Sequence, residues 1–121
     1  MALHHKLCHV LGGSFDLPHA ETHTIVLPHV AAYNRSHARE ALSLVANALG
    51  SSDAARGLFE LNVRLGVPLA LKDIGMPEDG IDKAVRLAMS SPYWNPRPVE
   101  EASLRELLQS AYEGRQPSGA F

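Results

Sequence analysis

The sequence predicts an all-α fold, an irregular bundle of six helices, and three observations carry that expectation. Apolar residues recur with a period near 3.6 through most of the chain, no stretch alternates with period two, and glycines and prolines fall where helices would stop or start. At 121 residues, with 45% hydrophobic and 20% charged content, the chain is long enough for one core and too short for two ordinary ones. The expected domain covers 1–114, with 115–121 as a loose tail.

Leu3 to Leu11 reads as a first helix, stopped by Gly12-Gly13. No Ser, Thr, Asp or Asn precedes it to accept from its first amides, which points to sequence missing upstream. Pro18 opens a second helix from His19 to Tyr33, where Pro28 should kink the helix or break its ladder locally. Ser36 is placed to cap a third, with Ala38, Ala41, Leu42, Val45, Ala48 and Leu49 on one face and Gly50 at its end. Asp53 caps a fourth that turns Ala54, Ala55, Leu58, Phe59, Leu61 and Leu65 inward and stops at Gly66. Val67 to Ile74 is a connection with room for one helical turn.

Pro77-Glu78-Asp79 starts a fifth helix with Ile81, Ala84, Val85 and Ala88 inward, although Gly80 weakens its first turn. The prolines from Pro92 to Pro98 forbid a continuous helix and make a strap anchored by Tyr93 and Trp94, with Asn95 as a turn residue and Arg97 as a surface cation or, for both, the edge of a cleft. Pro98, Glu100 and Glu101 open the last helix, which buries Leu104, Leu107, Leu108 and Ala111 and closes at Gly114.

A net charge of -2 supplies no field for phosphate backbones or anionic lipid, so neither nucleic acid nor membrane is expected as a partner. The single cysteine, Cys8, cannot close an internal disulfide and reads as a small buried hydrophobe, and no long uncharged run could span a bilayer. The expected compartment is the cytoplasm.

Histidine carries the functional signal. Six of the seven (His4, His5, His9, His19, His23 and His29) lie in the first thirty residues, interleaved with the core-like Leu7, Val10, Leu11, Ile25, Val26 and Leu27. His5 and His9 are one helical turn apart, and His19 and His23 repeat the spacing fourteen residues on, so two adjacent helices could bring four imidazoles to one cavity. Imidazole is the common side chain for proton transfer and metal ligation near neutral pH. The first pair lacks the glutamate after its leading histidine that a zincin uses as general base, which argues against a metalloprotease. His4 and His37 read as solvated, and His29, after Pro28, as a partner for a carbonyl that the proline frees.

The stretch Leu3-His4-His5-Lys6-Leu7-Cys8-His9-Val10-Leu11-Gly12-Gly13, followed by Leu17-Pro18-His19-Ala20-Glu21-Thr22-His23 and Leu27-Pro28-His29-Val30, resembles the iron-containing alcohol dehydrogenase superfamily, most closely its maleylacetate reductase branch. The similarity continues through Leu71-Lys72-Asp73-Ile74-Gly75-Met76-Pro77 and Asn95-Pro96-Arg97-Pro98-Val99. The resemblance implies a two-domain enzyme of the dehydroquinate synthase-like fold: an N-terminal α/β domain for NADH or NADPH, and a C-terminal helical domain facing it across a cleft. This chain resembles the second alone; the N-terminal cofactor-binding domain is absent.

By the same resemblance His5 and His19 occupy metal-ligand positions for a divalent ion, Fe or Zn, whose aspartate and further histidine would come from a helix upstream of Met1. His9 occupies a catalytic position beside the nicotinamide and the reacting carbon, and His23 a catalytic position that marks the reductase branch. The implied reaction reduces the carbon-carbon double bond of maleylacetate, an oxo-diacid, to 3-oxoadipate in aromatic-compound degradation, by an enzyme that is a homo-oligomer when complete. No strand, glycine-rich loop and helix in this chain could hold a dinucleotide, so activity would require an N-terminal nucleotide-binding half. Lys6 is a weaker candidate, since its position turns it to another side of the helix. Two other readings remain open: a free-standing helical metal-binding protein that uses His5, His9, His19 and His23, and a non-catalytic interaction module, whereas a fragment of the enzyme would expose an apolar docking face.

Overall fold

The computed structural model describes residues 2–90 and 95–117. Six α-helices and one 3-10 turn follow in order: α1 (Ala2–Phe15), α2 (His19–Asn34), α3 (Arg39–Leu49), α4 (Ala54–Leu65), the 3-10 turn Leu71–Ile74, α5 (Gly80–Met89) and α6 (Glu101–Glu113). There is no strand among the described residues, and no helix there is long and apolar enough to cross a membrane. The expected anchors Tyr93 and Trp94, and residues 118–121 of the expected tail, lie outside the described residues.

Helix α2 is the hub, packing against α1, α4, α6 and the 3-10 turn, while α5 joins α1 to α6 and α3 lies on α4. The main core combines Leu3, Leu7 and Leu11 of α1 with Ile25, Val26, Val30 and Tyr33 of α2, Ile81, Ala84 and Val85 of α5, and Leu104, Leu107 and Leu108 of α6. A smaller core of Ala31, Ala32, Leu42, Ala46, Ala54 and Ala55 joins α3 and α4 to the second half of α2. Alanine lets those backbones approach closely but removes little apolar area from water, so this layer is held more weakly than the main core.

Helix ends explain most of the boundaries. Gly50, Gly66 and Gly114 close α3, α4 and α6 in the left-handed conformation, and Asp53 caps α4 by accepting from Arg56 N. The third helix is not capped by Ser36. Arg35 N donates to Ala32 O and His37 N to Asn34 O, and this extra turn delays the helix until Arg39 and leaves the Ser36 hydroxyl bonded to His37 Nδ1. Nor does α1 stop at Gly12-Gly13: it runs on to Phe15 and ends where Asp16 takes a positive φ of 53°. Phe15 packs on the core against Gly80, where an added Cβ would stand 2.8 Å from its Cζ. That contact outweighs the poor helix propensity of two glycines, and it gives Gly80 a packing role that its propensity hides.

The α3 and α4 faces also differ from expectation. Of the residues placed inward, only Leu42 on α3 and Ala54, Ala55 and Phe59 on α4 are buried, whereas Val45, Leu61 and Leu65 are exposed. A period fixes which residues share a face; how wide a face the neighbours cover depends on tertiary packing, and here it is narrow.

Proline within α2 is accommodated by a specific contact. Pro28 has no N–H to give the carbonyl of Thr24 four residues earlier, and Asn62 of α4 donates its side-chain amide to that oxygen at 2.9 Å. The helix therefore stays one element. The partner of the freed carbonyl is Asn62 and not His29, which is 1% exposed with neither ring nitrogen hydrogen-bonded. Burial holds the His29 imidazole down to a pKa of about 4.

The strap after α5 binds the hub. Asn34 and Asn95 exchange side-chain amide bonds of 3.2 and 2.7 Å, Tyr33 donates its hydroxyl to Pro98 O at 2.6 Å, and Arg97 lies over the Tyr33 ring while donating to the Tyr33 carbonyl. Asn95 Oδ1 also accepts from Leu3 N at 3.4 Å. The cap that local sequence did not offer α1 thus comes from 92 residues away. Asn95 and Arg97 are more than a turn residue and a surface cation: both brace the end of α2.

Candidate functional site

Helices α1 and α2 are packed neighbours joined through Asp16, Leu17 and Pro18, and together they carry six histidines. Spacing sorts these rings by face. His5 and His9 share one face of α1 and are exposed, without a hydrogen bond or ring contact among the described residues. His4 and Cys8, also four apart, share the neighbouring face, which turns towards α2. On α2, His19 is exposed and His23 half-buried, with ring centroids 5.3 Å apart.

The contacts that form run His19, His23, His4, Cys8. The His4 ring meets that of His23 edge-on at 5.0 Å, and its Nε2–H donates to the His23 carbonyl oxygen at 3.1 Å. Cys8 Sγ lies 3.6 Å from the same nitrogen. Burial lowers the His4 pKa, helped by the proximity of His23, while the hydrogen bond to the His23 backbone opposes the shift. Burial pushes the Cys8 thiol up to about 12, which keeps it protonated and a poor nucleophile. Its near-complete burial agrees with the sequence-based expectation.

Of the four histidines singled out by spacing, the structure joins His19 to His23 directly and sets His5 and His9 on the exposed side of α1. His4 was expected to be solvated and is instead half-buried in the helix interface, because its ring has a carbonyl to meet on α2. The signal for it was present: His4 and Cys8 repeat the one-turn spacing of His5 and His9, shifted by one residue. His37 is exposed, as expected.

Chemically, the exposed set and the interface set differ. His5, His9 and His19 present imidazoles to solvent, where they can meet an anionic substrate or a cation supplied with further ligands. Two imidazoles at His5 and His19 have the right donor chemistry for a borderline divalent ion. They fall short of the three or four protein ligands that a catalytic or structural site uses. The interface set is partly buried and already internally bonded.

Residues 1–112 match the C-terminal part of the Fe-containing alcohol dehydrogenase family. The chain is 54% identical over 118 residues to a maleylacetate reductase of Burkholderia cepacia, covering 98% of this chain and 34% of that protein. It is 54% identical to the maleylacetate reductase of Sphingobium indicum, over 97% of this chain and 33% of that one. Among solved structures, the maleylacetate reductases from Agrobacterium tumefaciens and from a Rhizobium strain superpose with TM-scores of 0.92 and 0.91, at 50% and 47% identity. Each superposition covers 97% of this chain and 33% of the other. The chain therefore spans about a third of the length of the curated relatives it matches.

Proposed function

Since the chain belongs to the Fe-containing alcohol dehydrogenase family, as its C-terminal part, we propose that it forms the helical, substrate-side portion of a maleylacetate reductase. The observation that carries this reading is the 54% identity to such a reductase over 98% of the chain. The exposed placement of His5, His9 and His19 on one helix pair supports it.

The reaction is reduction of the carbon-carbon double bond of maleylacetate to 3-oxoadipate by NADH or NADPH, in the cytoplasm, within a homo-oligomer that includes an N-terminal nucleotide-binding half. The nicotinamide supplies the hydride. This chain's residues place the substrate and manage its charge. Hydride addition to one alkene carbon leaves negative charge delocalised towards the oxo group, and the neighbouring carbon then takes a proton. His9, exposed and unengaged, is the donor of that proton and the residue nearest the nicotinamide. His23, in ring contact with His19, holds the oxo or carboxylate end of the substrate. His5 and His19 are the positions that would hold Fe or Zn together with ligands from the other half, where the ion would polarise the oxo group; without it the two imidazoles bind a carboxylate. No step depends on that ion.

The test is NADH oxidation with maleylacetate by this chain mixed with an N-terminal half from a maleylacetate reductase. Turnover in the mixture and none with either part alone is the expected result. A folded, associated mixture that leaves NADH untouched would refute the assignment.

A further inference from the structure

His4 and Cys8, which the proposed reaction leaves unused, sit beside His23. One donor atom from each of His4, Cys8 and His23 lies within 4.8 Å of the others, across the α1–α2 interface. All three are at least partly buried, and two elements rather than one contribute them. Around a tetrahedral zinc ion, with bonds of about 2.3 Å to sulfur and about 2.0–2.1 Å to nitrogen, a sulfur and a nitrogen ligand stand about 3.5–3.6 Å apart. Cys8 Sγ and His4 Nε2 are 3.6 Å apart without any ion.

We propose that His4, Cys8 and His23 form a thiolate-containing site for a thiophilic divalent cation of the zinc class, separate from the positions of His5 and His19. One sulfur and two nitrogens are a donor set for zinc, cobalt or cadmium and a poor one for magnesium or calcium, which take oxygen. Three protein ligands leave a fourth position for water or an exogenous ligand. Binding replaces two interactions. The Cys8 proton leaves to solvent as the sulfur–metal bond forms, and His4 Nε2 gives up its bond to the His23 carbonyl, its proton moving to Nδ1.

Occupancy fastens α1 to α2 and draws His23 into coordination. On the proposed reaction, which this consequence alone rests upon, a loaded site removes His23 from the substrate and lowers turnover. The cation is then an inhibitor whose release restores activity.

Cobalt(II) absorption of the 121-residue chain tests the site without any assay of catalysis. Cys8 is the sole cysteine, so a thiolate-to-cobalt charge-transfer band can arise from no other residue. The expected result is that band at one equivalent, together with intense tetrahedral ligand-field bands, both displaced by zinc. Cys8→Ser abolishes the charge transfer, and His4→Ala and His23→Ala each weaken cobalt binding by roughly 10-fold or more. The double variant His5→Ala/His19→Ala keeps the band. Far-UV circular dichroism checks folding. If Cys8→Ser does not fold, the His4→Ala titration decides, since unchanged affinity there overturns the proposal. Weak ligand-field bands without charge transfer, or loss of the spectrum in the His5/His19 double variant, also overturn it by placing the cation on the exposed imidazoles.

Discussion

Asn62 Nδ2 stands 2.9 Å from the backbone oxygen of Thr24, the acceptor that Pro28 leaves without its helical donor. The pair ties α4 to the middle of α2, and Asn62 is 8% exposed. The buried carboxamide of Asn62 is thereby explained by a proline on a different helix.

Asn62→Ala is expected to destabilise the fold by about 0.5–1.5 kcal/mol, because it removes the donor to the half-buried Thr24 carbonyl. In a Pro28→Ala background the residue 28 N–H can bond Thr24 itself, so the same change should cost less. Urea midpoints for the four proteins of this cycle measure the coupling. Equal costs in both backgrounds would show that Asn62 acts through packing alone.

Removing the Asn95 side chain breaks three ties at once: the amide exchange with Asn34, the acceptor for Leu3 N and its own bond to the Arg97 carbonyl. Asn95→Ala should lower stability by about 1–3 kcal/mol. Hydrogen exchange should quicken most in the first turn of α1. Protection there equal to the parent's would contradict a capping role.

Buried, unbonded His29 makes stability depend on pH with a definite sign. Its folded pKa is depressed from 6.5 to about 4, so the unfolded chain binds the proton first. Its neutral form is accommodated in full above 6.5; stability then falls as the pH drops towards 4 and levels off below. The loss is on the order of 3 kcal/mol. Denaturant unfolding of the parent and of His29→Leu at about pH 7 and about pH 4.5 should show a steeper acid loss in the parent. Parallel losses would remove His29 as the cause.

Gly114 closes α6 at φ +74°, and an added Cβ would stand 3.0 Å from Ala70 Cβ and 3.4 Å from the Leu69 carbonyl carbon. Gly114→Ala meets both the left-handed backbone penalty and a neighbour with little freedom to move. A loss of about 1–2 kcal/mol is expected by thermal or urea unfolding.

In the active mixture with an N-terminal half, His9→Ala should depress turnover roughly 10²–10⁴-fold if it delivers the proton. His37→Ala, an exposed change on the turn before α3, should leave turnover as it was. A His9→Ala rate equal to the parent's would take that role from His9.

Local chemistry made much of this fold legible. Asp53, Gly50, Gly66 and Gly114 end or start helices by rules that need only neighbouring residues, and the inward faces of α5 and α6 follow from their period. Long-range contacts account for what was not. Gly12-Gly13 stays helical because Phe15 finds Gly80, α1 is capped by Asn95, and the carbonyl freed by Pro28 goes to Asn62. At the site, one-turn spacing marked His5 with His9 and His19 with His23, but only the crossing of two helices sets His4 and Cys8 against His23.

The tie from Asn95 back to Leu3 also sets an order of events during synthesis. A ribosome finishes the imidazole-bearing hairpin while the strap that steadies it is still dozens of codons away. Until the strap emerges the first turn of α1 lacks that acceptor, although α4 and α5, made in the interval, already have α2 and α1 to pack against. A message cut short before that strap would therefore yield both histidine-bearing helices without the acceptor for Leu3 N and without the ties that Tyr33 and Asn34 make at the far end of α2.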